Sequence, residues 1–263
     1  MGKVLKKKLN YVWRVGATGF SFASFGVGGV AIGTLLGPIL KLKKLDKQER
    51  VAVTQTVIKQ SFYHFVEMMV KLGIMTYDVE GIDKLKESQQ ELVIANHPTL
   101  IDVVLIIGLM ERANCVVKQA LWKNIFTAGP VTNANYILNQ GSEQFMNDCV
   151  ARLHEDNAAS LVIFPEGTRT IKEKKINDFQ RGAANIALRA NVPIRPVVIT
   201  CNPSTLSKNE KWYHIPDRPF HISIRVLDPI YVQDVVPQLE VTPKNVRLLN
   251  QYLYQFFNQE LSK

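Results

Sequence analysis

Leu92-Val93-Ile94-Ala95 running into Asn96-His97-Pro98-Thr99-Leu100-Ile101-Asp102, and Leu161-Val162-Ile163-Phe164 running into Pro165-Glu166-Gly167-Thr168-Arg169, decide the fold. Each stretch opens as a short apolar run of the buried-strand kind and then switches to polar and charged residues. Open α/β sheets place their chemistry at the ends of such strands. The first stretch offers a base and a carboxylate to orient it. The second offers an anion and a cation for a polar substrate.

Outward from these two stretches the chain alternates between strand and helix. Residues 77–79, 92–95 and 115–117 have strand character, while 101–111 is helical and 120–128 is a short helix. A polar-faced helix over 142–155 leads into the strand at Leu161. Residues 179–190 are helical, with Gly182, Ala183, Ala184 and Ala187 forming a small-residue face, and 193–200 is another buried strand. Residues 221–226 alternate as a strand with one wet face does, and 243–261 close the chain as a helix. No repeat or low-complexity linker interrupts the order. Alternating β and α units with buried strands predict an α/β domain over 76–263, with a mainly parallel central sheet flanked by helices.

The first 75 residues are of another kind. Residues 15–40 carry no formal charge and are long enough to reach through a hydrocarbon core. Their seven glycines and Pro38 make a poor soluble helix but are tolerated in a membrane one. Lys3, Lys6, Lys7, Lys8 and Arg14 precede the segment; Lys41, Lys43, Lys44, Lys47 and Arg50 follow it. Positive charge prefers the cytoplasmic side, so a single crossing would strand one cluster. A re-entrant segment, bent at Gly26-Val27-Gly28-Gly29, satisfies both. Residues 46–72 then have helical apolar spacing through Val57, Ile58, Phe62, Phe65, Val66 and Met69. Region 1–75 is thus expected to be a membrane-associated helical region tied to the globular part.

Composition narrows the partners. A hydrophobic share of 46% supports a real core. Lysine and arginine number 32 against 23 aspartates and glutamates, a balance of +9 that suits nucleic acid, anionic lipid or an acidic carrier. The basic clusters flank an apolar segment rather than interleaving with aromatics, which points to membrane lipid and away from nucleic acid. Cys115, Cys149 and Cys201 are odd in number and widely spaced, as in a reduced, cytosol-facing protein.

His97 and Asp102 are five residues apart, about 500° around a helix, so inside one helix they would not face each other. Pro98 resolves this by favouring the first helical turn, which leaves His97 at or before the cap. Asp102 can then reach back to one ring nitrogen and leave the other free as a base. Such a pair suits removal of a hydroxyl proton during attack on an acyl carbon. No Gly-x-Ser-x-Gly elbow and no cysteine adjoins the motif, so the nucleophile belongs to the substrate. Walker A and His-Glu-x-x-His sequences are also absent. In the second stretch, Glu166 and Arg169 flank Gly167, which permits close backbone approach.

With Phe179-Gln180-Arg181-Gly182 and Val192-Pro193-Ile194-Arg195-Pro196-Val197 following in order, residues 78–229 resemble the glycerolipid acyltransferase family that includes the lysophosphatidate acyltransferases. The resemblance implies His97 as general base and Asp102 as its orienter. It implies Glu166, Gly167, Thr168 and Arg169 as acceptor-site residues. It also implies an acyl thioester donor, acyl-CoA or acyl carrier protein, with no cofactor and no metal, and an N-terminal membrane-embedded helical motif. One block departs from the family pattern. Where an arginine is expected to hold the acceptor phosphate, Asn139 or Gln140 stands, and a neutral amide lacks both charge and bidentate geometry. Arg169, Arg181 or Arg195 are the candidates to compensate.

The expected activity is O-acyl transfer from a thioester to the hydroxyl of a lysophospholipid-like acceptor such as lysophosphatidate, at the inner (cytoplasmic) membrane with the catalytic domain facing the cytoplasm. Helix-start amides near His97 are the expected oxyanion donors. Three alternatives stay open: a lipid acceptor without phosphate, a thioester hydrolase, and a non-catalytic membrane lipid-binding protein.

Overall fold

The structure, a computed structural model, describes residues 2–155 and 158–263. The chain opens with helix α1 (Gly2–Ala31), which runs on through a π-helical stretch (Ile32–Leu36) into α2 (Gly37–Leu42) and returns as α3 (Lys47–Lys71). Then come β1 (Met75–Glu80), α4 (Ile82–Lys86), β2 (Leu92–Ala95), α5 (Asp102–Leu109) and β3 (Ala113–Lys118). The middle of the chain adds α6 (Gln119–Lys123), α7 (Ala128–Asn133), β4 (Ile137–Asn139), α8 (Glu143–Leu153) and β5 (Ser160–Ile163). The remainder is α9 (Gly182–Ala190), β6 (Ile194–Asn202), β7 (Phe220–Val226), α10 (Val232–Val235) and α11 (Pro243–Glu260).

The seven strands among the described residues form one sheet in the order β1-β7-β6-β2-β5-β3-β4. Every neighbouring pair is parallel except β6–β7, so the expected mainly parallel sheet is present. β2 and β5 lie side by side in register, Leu92 opposite Leu161 and Ile94 opposite Ile163. Both are buried on both faces, which is why their sequences are continuous apolar runs rather than alternating ones.

The pleat divides these strands between two cores. Val93, Ala95 and Val162 join one face with Val104 and Leu105 of α5 and Ile58 and Val66 of α3. Leu92, Ile94, Leu161 and Ile163 join the other with Ala184 and Ala187 of α9 and Leu249 and Leu253 of α11. The helix after β2 therefore leaves for one face and the helix after β5 for the other. A crevice at the carboxyl ends of two adjacent strands results, the position where open α/β sheets bind ligands.

Two expectations for the N-terminal region are corrected. The backbone stays helical through Gly26–Gly29 rather than bending there, and the reversal comes at Lys43 to Asp46. Gly26, Gly29 and Gly33 serve close contact across the chain instead. A Cβ on Gly29 would lie 2.0 Å from the Phe126 carbonyl oxygen, and one on Gly129 would lie 2.3 Å from the Cα of Gly33. Nor is Arg14 a solvent or lipid-facing charge: it is 2% exposed and bonded inward. The segment 46–72 is helical as expected. Asp46 caps it, accepting from the Glu49 amide at 2.8 Å, while the Glu49 carboxylate accepts from the Asp46 amide at 2.9 Å. Phe25 of α1 meets Phe62 and Phe65 of α3, and Trp13 Nε1 donates to the Leu72 carbonyl at 2.9 Å.

The single short helix expected over 120–128 is two, α6 and α7. Asn124 Oδ1 accepts from the Phe126 amide at 2.9 Å and turns the chain between them. α4, β4 and α10, each five residues or fewer, are too short to leave a periodic signal in the sequence.

Candidate active site

Residues 96–102 leave β2 and residues 164–169 leave β5 at the same level. Asn96 anchors the first loop to the third central strand: its Nδ2 donates to the Ile199 carbonyl at 2.8 Å and its Oδ1 accepts from the Ile199 amide at 2.7 Å. Its only sequence signal is an amide at the end of an apolar strand.

Asp102 is fully buried and accepts three hydrogen bonds. His97 Nδ1 lies 2.9 Å from Oδ2, the Thr99 amide donates to the same oxygen at 2.8 Å, and Thr99 Oγ1 donates to Oδ1 at 2.6 Å. The ring is held further by a tilted contact with the Phe164 ring, with centroids 4.5 Å apart. With Nδ1 facing a carboxylate, Nδ1 carries the proton and Nε2 is the basic nitrogen. Asp102 reaches back to His97 as the sequence requires, but by a different route. It is itself the first residue of α5, and Pro98 lies in the turn before the helix rather than in its first turn. A carboxylate at a helix start is favoured by the helix dipole, which adds to the three bonds.

Glu166 turns inward. It is 3% exposed; Oε1 accepts from the His97 amide at 2.7 Å, Oε2 from the Asn177 amide at 2.8 Å, and Thr170 Oγ1 donates to both oxygens. Burial pushes its pKa up, while the bonds from Asn177, His97 and Thr170 pull it down. Both oxygens are committed within the protein, so Glu166 clasps the two loops together rather than facing an acceptor. The Thr170 amide completes the clasp by donating to the His97 carbonyl at 2.7 Å.

The rest of the second motif faces a cavity of about 570 Å³ that His97 also lines. Gly167 adopts φ +64°, a left-handed conformation that glycine takes without strain, and lines the rim beside Thr168 and Arg169. Arg169 Nη1 donates to the Leu206 carbonyl at 2.7 Å, leaving the other edge of its fork unassigned to that bond. Its pKa is lowered by burial against the opposing pull of Asp102 and Glu210. Inward from this rim the walls are apolar: Phe22 and Phe25 of α1, Ile58 and Phe62 of α3, Val104 of α5 and Val117 of β3.

Lys118, at the end of β3, joins the rim and was missed; a lysine closing the strand-like Cys115-Val116-Val117 is the signal that could have found it. Burial lowers its pKa, and so do the nearby charges of Lys208 and Arg169. Asn139, in register with Lys118 on β4, lines the same rim, so an amide does stand beside the polar mouth. Of the proposed compensating cations, Arg195 is elsewhere. It forms a bidentate pair with Glu91 at 2.9 and 2.6 Å, near the opposite end of β2. Arg181 is exposed and does not line the cavity. The helix-start amides expected for an oxyanion are largely engaged: those of His97, Thr99 and Ile101 donate to Glu166, Asp102 and Thr99.

The chain is similar to known proteins in sequence and in fold. The Acyltransferase family model matches residues 76–200. The 1-acyl-sn-glycerol-3-phosphate acyltransferase of Saccharomyces cerevisiae is 26% identical over 189 residues, 70% of this chain and 60% of that protein. The enzyme of the same name from Cocos nucifera is 29% identical over 54% of this chain and 46% of its own length. That of Haemophilus influenzae is 26% identical over 68% of this chain and 71% of its own. The chain thus spans about half to six tenths of the length of the first two relatives. In fold it is similar to the 1-acyl-sn-glycerophosphate acyltransferase PlsC of Thermotoga maritima, with a TM-score of 0.68, 19% identity and coverage of 97% of this chain and 96% of that one. The His97–Asp102 pair and the Glu166–Arg169 loop, on neighbouring strands, both fall within the segment that the Acyltransferase family model matches.

Proposed function

We propose that this chain transfers an acyl group from a thioester, carried on coenzyme A or acyl carrier protein, to the free hydroxyl of a lysophosphatidate-like acceptor. The observation that carries this reading is the position of His97, at the junction between a cationic rim and an apolar cavity. The acyl chain lies among the apolar walls, with its thioester carbonyl near His97. Lys118 and Arg169 hold the acceptor's phosphate, and Thr168 and Gly167 flank its glycerol. His97 Nε2 takes the proton of the acceptor hydroxyl as its oxygen attacks the thioester carbon; the buried Asp102 carboxylate stabilises the imidazolium that forms. The C–S bond breaks, and the departing thiolate takes the proton back from His97. The relatives' names support a glycerol phosphate acceptor, as do the cations at the rim.

The same reading places the protein on a membrane. Val4–Leu42 is long and apolar enough to cross one by length and composition. At 1.5 Å per residue the rod is roughly 60 Å long, about twice a hydrocarbon core. With lysines at both ends, it lies along the cytoplasmic leaflet of the inner membrane. Val12, Trp13, Phe20, Val27, Val30 and Leu35, all exposed, face the acyl chains. A donor chain then enters the cavity between α1 and α3 from the lipid side.

Asn139 favours one variant, an acceptor whose headgroup carries no phosphate. Detergent-purified protein, a labelled acyl thioester and a panel of lysolipids and hydroxylated acceptors test both. Product on lysophosphatidate that is lost in His97→Ala supports the principal reading. His97-dependent product only on another acceptor moves the chemistry to that acceptor. Thioester loss without acylated product, or no turnover with either donor class, overturns acyl transfer.

A further inference from the structure

Residues 203–219 join β6 to β7, two antiparallel neighbours that a connection of two to five residues could link. The long strap instead crosses from the active-site rim to α1 and is held at both ends. At the rim, the Leu206 carbonyl accepts from Arg169 Nη1 at 2.7 Å. Just beyond, Ser207 and Glu210 close a turn whose carboxylate pairs with Lys172 at 2.5 Å. At the far end, the Pro216 and Asp217 carbonyls accept from Arg14 Nη1 and Nη2, each at 2.8 Å, and Asn10 Oδ1 accepts from Arg14 Nε at 2.9 Å. Between the two ends Trp212 lies on α1, its ring 3.2 Å from where a Cβ on Gly19 would sit and 5.9 Å from the Phe22 ring.

Arg14 is an unusual anchor. A guanidinium 2% exposed is costly to bury without partners. The Asp217 carboxylate acts on Arg14 through space, while its own hydrogen bond goes to Lys7 at 2.9 Å. The three neutral oxygens that satisfy Arg14 use three sides of one planar fork, and a lysine could not reproduce that. Two of them belong to the strap, whose other end holds the guanidinium of Arg169.

We infer that Arg14 is a positioning residue for Arg169: through the strap, α1 fixes the Leu206 carbonyl and thereby turns the Arg169 fork toward the acceptor. The inference rests on the reading of Arg169 as the group that meets the acceptor's headgroup. Lipid contact along α1 and acceptor capture at the rim are then one mechanical unit.

The test compares the full chain with Arg14→Gln, Arg14→Lys and Asp217→Asn. Loss of two charge-assisted bonds to the strap should raise the acceptor KM by about tenfold or more and leave the donor KM within about twofold. Arg14→Lys, able to reach one carbonyl, should lie between. Asp217→Asn breaks the surface pair with Lys7 but keeps the carbonyl bond, and should behave as the parent. In an Arg169→Ala background, Arg14→Lys should add nothing further to the acceptor KM, because the group it positions is gone. Additive effects in that cycle, or equal rises in both KM values, overturn the inference. Amide hydrogen exchange supplies a readout that needs no turnover. In Arg14→Lys, exchange should quicken over 204–217 and also over 166–170; quickening confined to 214–219 overturns the inference. Should the parent acylate no phosphate-bearing acceptor, the functional reading fails while the exchange result still decides whether Arg14 acts on the Arg169 loop.

Discussion

Replacing Asp102 by asparagine should separate the charge of the pair from its geometry. The two N–H donors to Asp102, His97 Nδ1 and the Thr99 amide, both meet Oδ2; the other oxygen meets only the Thr99 hydroxyl. An asparagine with its oxygen in the Oδ2 place keeps both N–H bonds. Its NH2 then donates to Thr99 Oγ1, which can turn from donor to acceptor. Structure and tautomer survive, and what disappears is the negative charge facing the imidazolium. At a charge separation of about 4 Å and an effective dielectric constant of about 20, that attraction is about 4 kcal/mol, or about a thousandfold in rate. Initial-rate acyl transfer should therefore show kcat down by about 10³ with acceptor and donor KM little changed. The melting temperature should hold or rise, since a buried charge has been removed. Parent-level kcat in Asp102→Asn would refute the reasoning, and so would a loss of activity matched by a collapse in Tm.

Glu166→Gln should behave in the opposite way. Its two backbone donors meet different oxygens, so any amide orientation sets NH2 against an N–H; thermal melting should register a loss of about 1–3 kcal/mol along with activity. Gly29→Ala forces a methyl onto the Phe126 carbonyl and should cost about 1–3 kcal/mol, whereas Gly28→Ala meets nothing within 4 Å and should be neutral or stabilising; the pair is read by Tm in detergent. Because burial and two neighbouring cations favour neutral Lys118, the protein loses that charge at lower pH than an ordinary lysine would. Acceptor KM should climb as pH rises toward the usual lysine range, and Lys118→Arg should flatten that climb. Burial pushes the thiols of Cys115, Cys149 and Cys201 up to about 12, so iodoacetamide at neutral pH should label them in the unfolded chain and spare them in the folded one, as mass spectrometry would record.

What was legible in the sequence was whatever depends on near neighbours. The apolar runs at 92–95 and 161–163 identified two central strands, and Asp46 and Ser142 stand where the caps of α3 and α8 belong. His97 and Asp102 were found because five residues suffice to bring them together. The resemblance implies Glu166 at the acceptor site, whereas its carboxylate is buried and bonded within the protein. Its partners, the His97 and Asn177 amides, lie 69 and 11 residues away, and no local pattern says whether a carboxylate faces in or out. The glycines of α1 were read as a bend for the same reason, since their purpose is set by Phe126 and Gly129. In the sequence Arg14 reads with the lysines that precede the apolar segment, because charge is visible there and burial is not.

The divergence of α5 and α9 to opposite faces of the sheet has a consequence for redesign. The opening between β2 and β5 is a property of the chain's path, drawn by backbone before any side chain is chosen. Lys118, Asn139, Thr168 and Arg169 decorate its mouth, while the clasp of Glu166 and the His97–Asp102 pair lie beneath them. On the acyl-transfer reading proposed above, acceptor preference and chemistry fall on separate layers of one pocket. That reading lets new headgroups be sought by exchanging the four upper residues while the His97–Asp102 layer stays as it is.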